Sequence, residues 1–89
     1  MKAIVTVVGK DAVGIIANVC MALADHNVNV LDISQTVMQG YFTMMMVVDV
    51  TAANVPLSDL ALKLEEKGRE MNLSIRLQRE DIFEAMHRV

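Results

Sequence analysis

Eighty-nine residues suffice for one small domain, and no Gly/Ser/Pro-rich stretch divides them, so a single domain spanning 1–89 is expected. At 54% hydrophobic residues and a mean hydropathy of +0.40, the chain has more apolar surface than one small core can hold, which predicts self-association. A net charge of −3 with only two Phe and one Tyr argues against nucleic-acid binding, and Lys10, Asp11, Asp25 and Asp32 keep every apolar run short of the roughly 18–20 residues that cross a bilayer.

Met1 to Val5 has neither the basic region nor the cleavage site of a secretion signal, and the single Cys20 can form no internal disulfide. Both point to the cytoplasm. Residues 2–8 alternate Ala3, Val5, Val7 against Ile4, Thr6, Val8, a strand apolar on both faces. Gly9-Lys10-Asp11 is expected to interrupt it. Val13, Ile16, Ala17, Cys20, Leu23 and Ala24 then recur at spacings of three and four, predicting an amphipathic helix that ends near Asp25-His26-Asn27. Cys20 reads as a small apolar filler on that helix.

Val28 to Met38 is extended, Gly40 is a turn residue, and Tyr41 to Thr51 places Phe42, Met44, Met46, Val48 and Val50 on one face. The pair reads as a β-hairpin, with Met44-Met45-Met46 as gap-filling side chains in preference to a metal tract. Pro56 and Ser58 open a second helix with Leu57, Leu60, Ala61, Leu64 and Gly68 on one stripe and Lys63, Glu66, Lys67 and Glu70 toward water; Gly68 marks close packing. Leu73, Ile75 and Leu77 alternate with Ser74, Arg76 and Gln78 in a fourth strand. A tail helix is expected from Asp81, with Glu84 at capping-box spacing and Ile82, Phe83 and Met86 to bury.

The fold class is therefore α+β: a ferredoxin-like βαββαβ sandwich, a four-stranded antiparallel sheet with two helices on one face and a short C-terminal helix. Its other face, with Met45 and Val47, needs a partner subunit or the tail helix to cover it. Fold alone does not give function. A copper chaperone of this shape would need thiolates in the first loop, and Gly9 to Gly14 has none. An RNA-binding sheet would need exposed aromatics where this chain has Ile4-Val5-Thr6-Val7-Val8. A small phosphatase would need an arginine cradle in that loop, which offers only Lys10. His26 and His87 stand in no metal-ligand spacing with Cys20, and no nucleophile lies beside a base, so neither a metal, a cofactor nor catalysis is expected.

The segment Val8-Gly9-Lys10-Asp11-Ala12-Val13-Gly14-Ile15-Ile16, followed after one helix by Asn27-Val28-Asn29-Val30-Leu31-Asp32-Ile33, resembles the ACT-domain family. It is most similar to small stand-alone ACT proteins, some related to regulators of glycine cleavage, and the tail from Arg79 to Val89 fits them. The resemblance implies a non-catalytic regulatory domain binding an amino acid or similar effector at the interface of a homodimer, alone or within a higher oligomer, and acting on a regulated protein partner. The alternative is a structural dimerisation or docking module without a ligand.

The resemblance places the ligand between the first loop and helix of one subunit and the second strand of its neighbour. The residues implied are Lys10, Asp11, Val13, Gly14, Ile15, Asn29 and Gln35. Free N–H groups near Val13, Gly14 and Ile15 suit a carboxylate, and Gly14 lets backbone come close. Asp11 suits an ammonium, and Asn29 an amide bridge to either end. Asp11 is equally a good helix N-cap, and its charge favours a cation over a free carboxylate, so the charge of the ligand stays open. Asn27 reads as a left-handed helix terminus.

Overall fold

In the computed structural model, which describes residues 1–86, the apolar alternation of the first segment carries through Gly9, and β1 runs from Lys2 to Lys10. The expected interruption at Gly9 is absent because Gly9 pairs with both neighbours, Phe42 and Leu73, and a Cβ there would collide with the Leu73 side chain. After β1 come α1 (Ile15–Asp25), β2 (Asn29–Met38), β3 (Tyr41–Asp49), α2 (Leu57–Glu70), β4 (Leu73–Arg79) and α3 (Glu80–Met86). The four strands form one antiparallel sheet in the order β2-β3-β1-β4. This is the ferredoxin-like arrangement.

Strand parity decides which side chains meet the helices. Ala3, Val5 and Val7 of β1, Phe42, Met44, Met46 and Val48 of β3, and Leu73 and Ile75 of β4 are buried beneath α1 and α2 in a single apolar core. Two of the three consecutive methionines therefore fill that core, while Met45 points to the opposite face and is exposed. The β2–β3 hairpin closes through Gln39 and Gly40, both at positive φ (51° and 83°), the pattern of a type I′ turn whose twist suits the flanking strands.

Helix α2 buries Leu60, Leu64 and Gly68, each leucine worth about 2 kcal/mol in area removed from water. At Gly68 a Cβ would stand 2.7 Å from the Leu73 carbonyl oxygen, so this glycine is what lets α2 lie directly on β4. Asp59 in the first turn and Lys67 and Arg69 in the last complement the helix dipole.

Helix α1 differs from its sequence reading. It buries Ile15, Val19 and Leu23, while Val13, Ile16, Ala17 and Ala24 are exposed and Cys20 is half-buried. The buried stripe is turned by one residue, about 100°. Gly14, at φ 86°, ends the loop in the left-handed region and starts the helix only at Ile15, and an almost wholly apolar segment leaves its phase to be set by that start. Asn27 is left-handed as expected (φ 59°), with its amide donating to the Ala52 carbonyl at 2.9 Å.

The tail also differs. Helix α3 begins at Glu80, and Asp81 directs its carboxylate to Arg79 (2.6 Å) and the Ile82 N–H (2.9 Å), so the expected capping box is not the contact it makes. No α3 residue is buried: Ile82 and Met86 are exposed and Phe83 is half-buried. The helix nevertheless folds back over the outer sheet face, where the Gln78 amide reaches the Met86 sulfur and Ile4 falls to 7% exposure. Val8, on the same face four residues along, stays 44% exposed.

Candidate functional site

The end of β1, the start of α1 and the hairpin meet at one corner. The Asp11 N–H donates to the Gly40 carbonyl at 2.8 Å, which ties the first loop to the hairpin turn. Asn18 is the first residue to close a helical bond, its N–H reaching the Gly14 oxygen at 2.9 Å, and its side-chain amide donates to the same oxygen at 2.8 Å. The N–H groups of Ile15, Ile16 and Ala17 are thus the donors left at the helix start. They lie two residues beyond the expected Val13 to Ile15 because the helix begins later.

An open groove of about 270 Å³ lies beside these donors, with Asp11, Gly14 and Ile15 on one side and Gln35, Val37 and Phe42 on the other. Ile16 and Ala17 complete the wall. Asp11 is not a cap: the N-cap position is Gly14, without a side-chain hydrogen bond. Its carboxylate has no partner among the described residues and is available to the groove.

Of the seven residues expected at the site, the fold brings four together: Asp11, Gly14, Ile15 and Gln35. Lys10 is set apart by strand parity, since it pairs with Tyr41 on the outer face while its neighbour Gly9 pairs with the buried Phe42. Val13 projects fully into solvent. Asn29 pairs with Asp49 at the opposite end of β2 from Met38, so within one chain it is remote from the groove. Sequence reasoning did not single out Ile16, Ala17, Val37 and Phe42 for the groove, because apolar side chains there look like ordinary core. For Val37 a signal existed: it shares a strand face with Gln35.

Strand β2 borders the groove and ends the sheet. Asn29, Leu31 to Met38 are all exposed, and the apolar ones are Leu31, Ile33, Val37 and Met38. Two carboxylates sit below the usual range, both away from the groove. The Thr51 hydroxyl and N–H hold Asp49 down, with the Met1 amino group adding to the effect, and the Arg79 guanidinium does the same for Asp81. Among the described residues no His/Cys/Asp/Glu group could hold a metal, and no helix is long and apolar enough to cross a membrane. His87, considered above as a metal ligand, lies outside the described residues.

Comparison with known proteins adds to this geometry. Residues 2–78 match the family model described as ACT domain. A UPF0237 protein of Bifidobacterium longum is 56% identical over 88 residues, 99% of this chain and 98% of its own length. A solved structure described as an ACT domain protein from Streptococcus pneumoniae superposes with a TM-score of 0.83 at 46% identity, covering 98% of each chain. The fold also matches a structure described as a putative glycine cleavage system transcriptional repressor, at TM-score 0.73 and 20% identity, over 86% of this chain and 44% of that one.

Proposed function

The chain belongs to the ACT-domain family of regulatory modules, which often bind amino acids, and from that premise we propose that it is a non-catalytic cytoplasmic sensor of a small zwitterion, working as a homodimer joined along β2. The observation that carries this reading is the coincidence of the Asp11–Gly14–Gln35 groove with the bare β2 edge. In the groove, the Ile15, Ile16 and Ala17 N–H groups and the positive helix end suit a carboxylate, and Asp11 suits an ammonium. Ile16, Val37 and Phe42 supply the apolar wall for a side chain. A volume just under the roughly 300 Å³ of the smallest drug-sized pockets matches a single small metabolite.

The dimer brings back the residue that one chain leaves remote. Two β2 strands paired antiparallel about a two-fold at Ile33 carry the partner's Asn29 toward the groove end of the edge. Gln35 faces the groove beside Val37 and Phe42, and the partner's Asn29, which shares the outer face with Asp49, stands across the sheet from it.

Thermal-shift screening against the twenty amino acids at millimolar concentration tests the sensor. A ligand at 100 times its Kd adds about 2.7 kcal/mol, which is several degrees in a domain this size. Asp11→Ala and Gln35→Ala should each abolish the shift. No shift with any amino acid would leave a docking module without a ligand as the better description.

A further inference from the structure

Beyond the groove and the β2 edge, one more surface is built for contact. The outer sheet face is divided by α3, which stands over the β1–β4 half as a step about one helix diameter high, roughly 10 Å. Beside the step, over β2 and β3, lies a recess with Met38, Tyr41 and Met45 at 69%, 58% and 40% exposure, and Val8 of β1 borders it. A groove of about 260 Å³ lined by Thr36, Met38, Tyr41 and Thr43 marks its hairpin end. The step itself shows apolar Ile82 and Met86 to solvent.

Charge selects which end of the recess receives what. Glu80 to Met86 carries three carboxylates and no basic side chain. At the far end of the outer face Asp49 is already met by Lys2 and the Met1 amino group and Asp32 adds a further carboxylate, whereas the hairpin end holds Lys10 and, on the strands there, no carboxylate. We infer that the hairpin end of the outer face receives α3 of a second copy of this chain, reciprocally about a two-fold axis, with the partner's Ile82 and Met86 against Met38 and Tyr41 and the partner's Glu84 near Lys10. The molecule is a slab 20 Å thick with a broad face of 35 × 34 Å. About two thirds of one such face supplies the roughly 800 Å² per partner of a standard interface. This contact is independent of β2 pairing, and with it the dimer becomes a tetramer.

Sedimentation velocity separates the two contacts. Ile33→Lys blocks the β2 edge, and this variant remains a dimer through the face at roughly 100 μM. Adding Tyr41→Glu or Ile82→Glu, both at exposed positions, reduces it to a monomer. Lys10→Glu and Glu84→Lys each weaken the face dimer at least about tenfold, and together they restore it. Circular dichroism of each variant establishes that it is folded. A monomeric, folded Ile33→Lys overturns the face contact and leaves the β2 dimer standing. Persistence of the dimer in Ile33→Lys/Tyr41→Glu and Ile33→Lys/Ile82→Glu overturns it as well. Equal masses for the unchanged chain and Ile33→Lys, with both face variants monomeric, supports the face contact and removes the β2 dimer instead.

Discussion

The two edges of the sheet are treated differently. β4 is seven residues long, its Leu73 and Ile75 are buried, and its outward positions are Ser74, Arg76 and Gln78. Helix α2 is pressed onto it through Gly68, and α3 leaves directly from its end. β2 is ten residues long and almost wholly exposed, and its one charged side chain is Asp32. Proteins discourage edge-to-edge pairing with short strands and charges, and a long apolar edge left bare is a place for association. Part of the surplus hydrophobicity evident in the composition, Leu31, Ile33, Val37 and Met38, is thus placed where the helix layer stops short, beside the groove.

That contrast can be broken from either side. The largest effect is expected at the guarded edge: Gly68→Ala forces a Cβ against the Leu73 carbonyl and should cost about 3 kcal/mol, read as a fall in Tm of 10 °C or more at about 4–8 °C per kcal/mol. At the open edge, Ile33→Lys should weaken β2 pairing by about 2 kcal/mol, some 30-fold in Kd by sedimentation equilibrium, while Ser74→Lys on β4 should leave it unchanged. Equal effects of the two lysines would erase the distinction.

Where the open edge meets the first loop, Gly14→Ala places a side chain at φ 86° and 3.2 Å from the Asn18 amide, a cost of about 1 kcal/mol measurable by urea unfolding. The smallest change concerns the base of α3, next to β4. Asp81 and Asp49 are held below the usual carboxylate range, so what they add to stability is complete above the unfolded value of about 3.9 and is lost as pH falls through their lower folded values. The Tm gap between the unchanged chain and Asp81→Asn should therefore be slight at pH 7 and vanish in strong acid.

Much of the fold was legible because strand parity is a strict code. Ala3, Val5 and Val7, and Phe42 through Val48, went to the face their alternation required, and Gly68 was read as a close contact. α1 was less legible, since a segment with apolar residues all round takes its phase from Gly14, whose backbone angle the pattern does not announce. In the groove, Asp11, Gly14, Ile15 and Gln35 were identified, but ending β1 at Val8 hid the fact that Lys10 continues the alternation onto the other face. Asn29 was placed by resemblance, and only the direction of β2 reveals that a single chain carries it away from Asp11.

The hydrogen bond from the Asp11 N–H to the Gly40 carbonyl has a practical consequence. One amide joins the loop at the groove to the turn at the end of the β2–β3 ribbon, so its resonance frequency and its rate of hydrogen exchange register both. An isotope label at Asp11 is a built-in gauge, able to show in one spectrum whether filling the groove alters the hairpin, or whether joining two chains alters the groove.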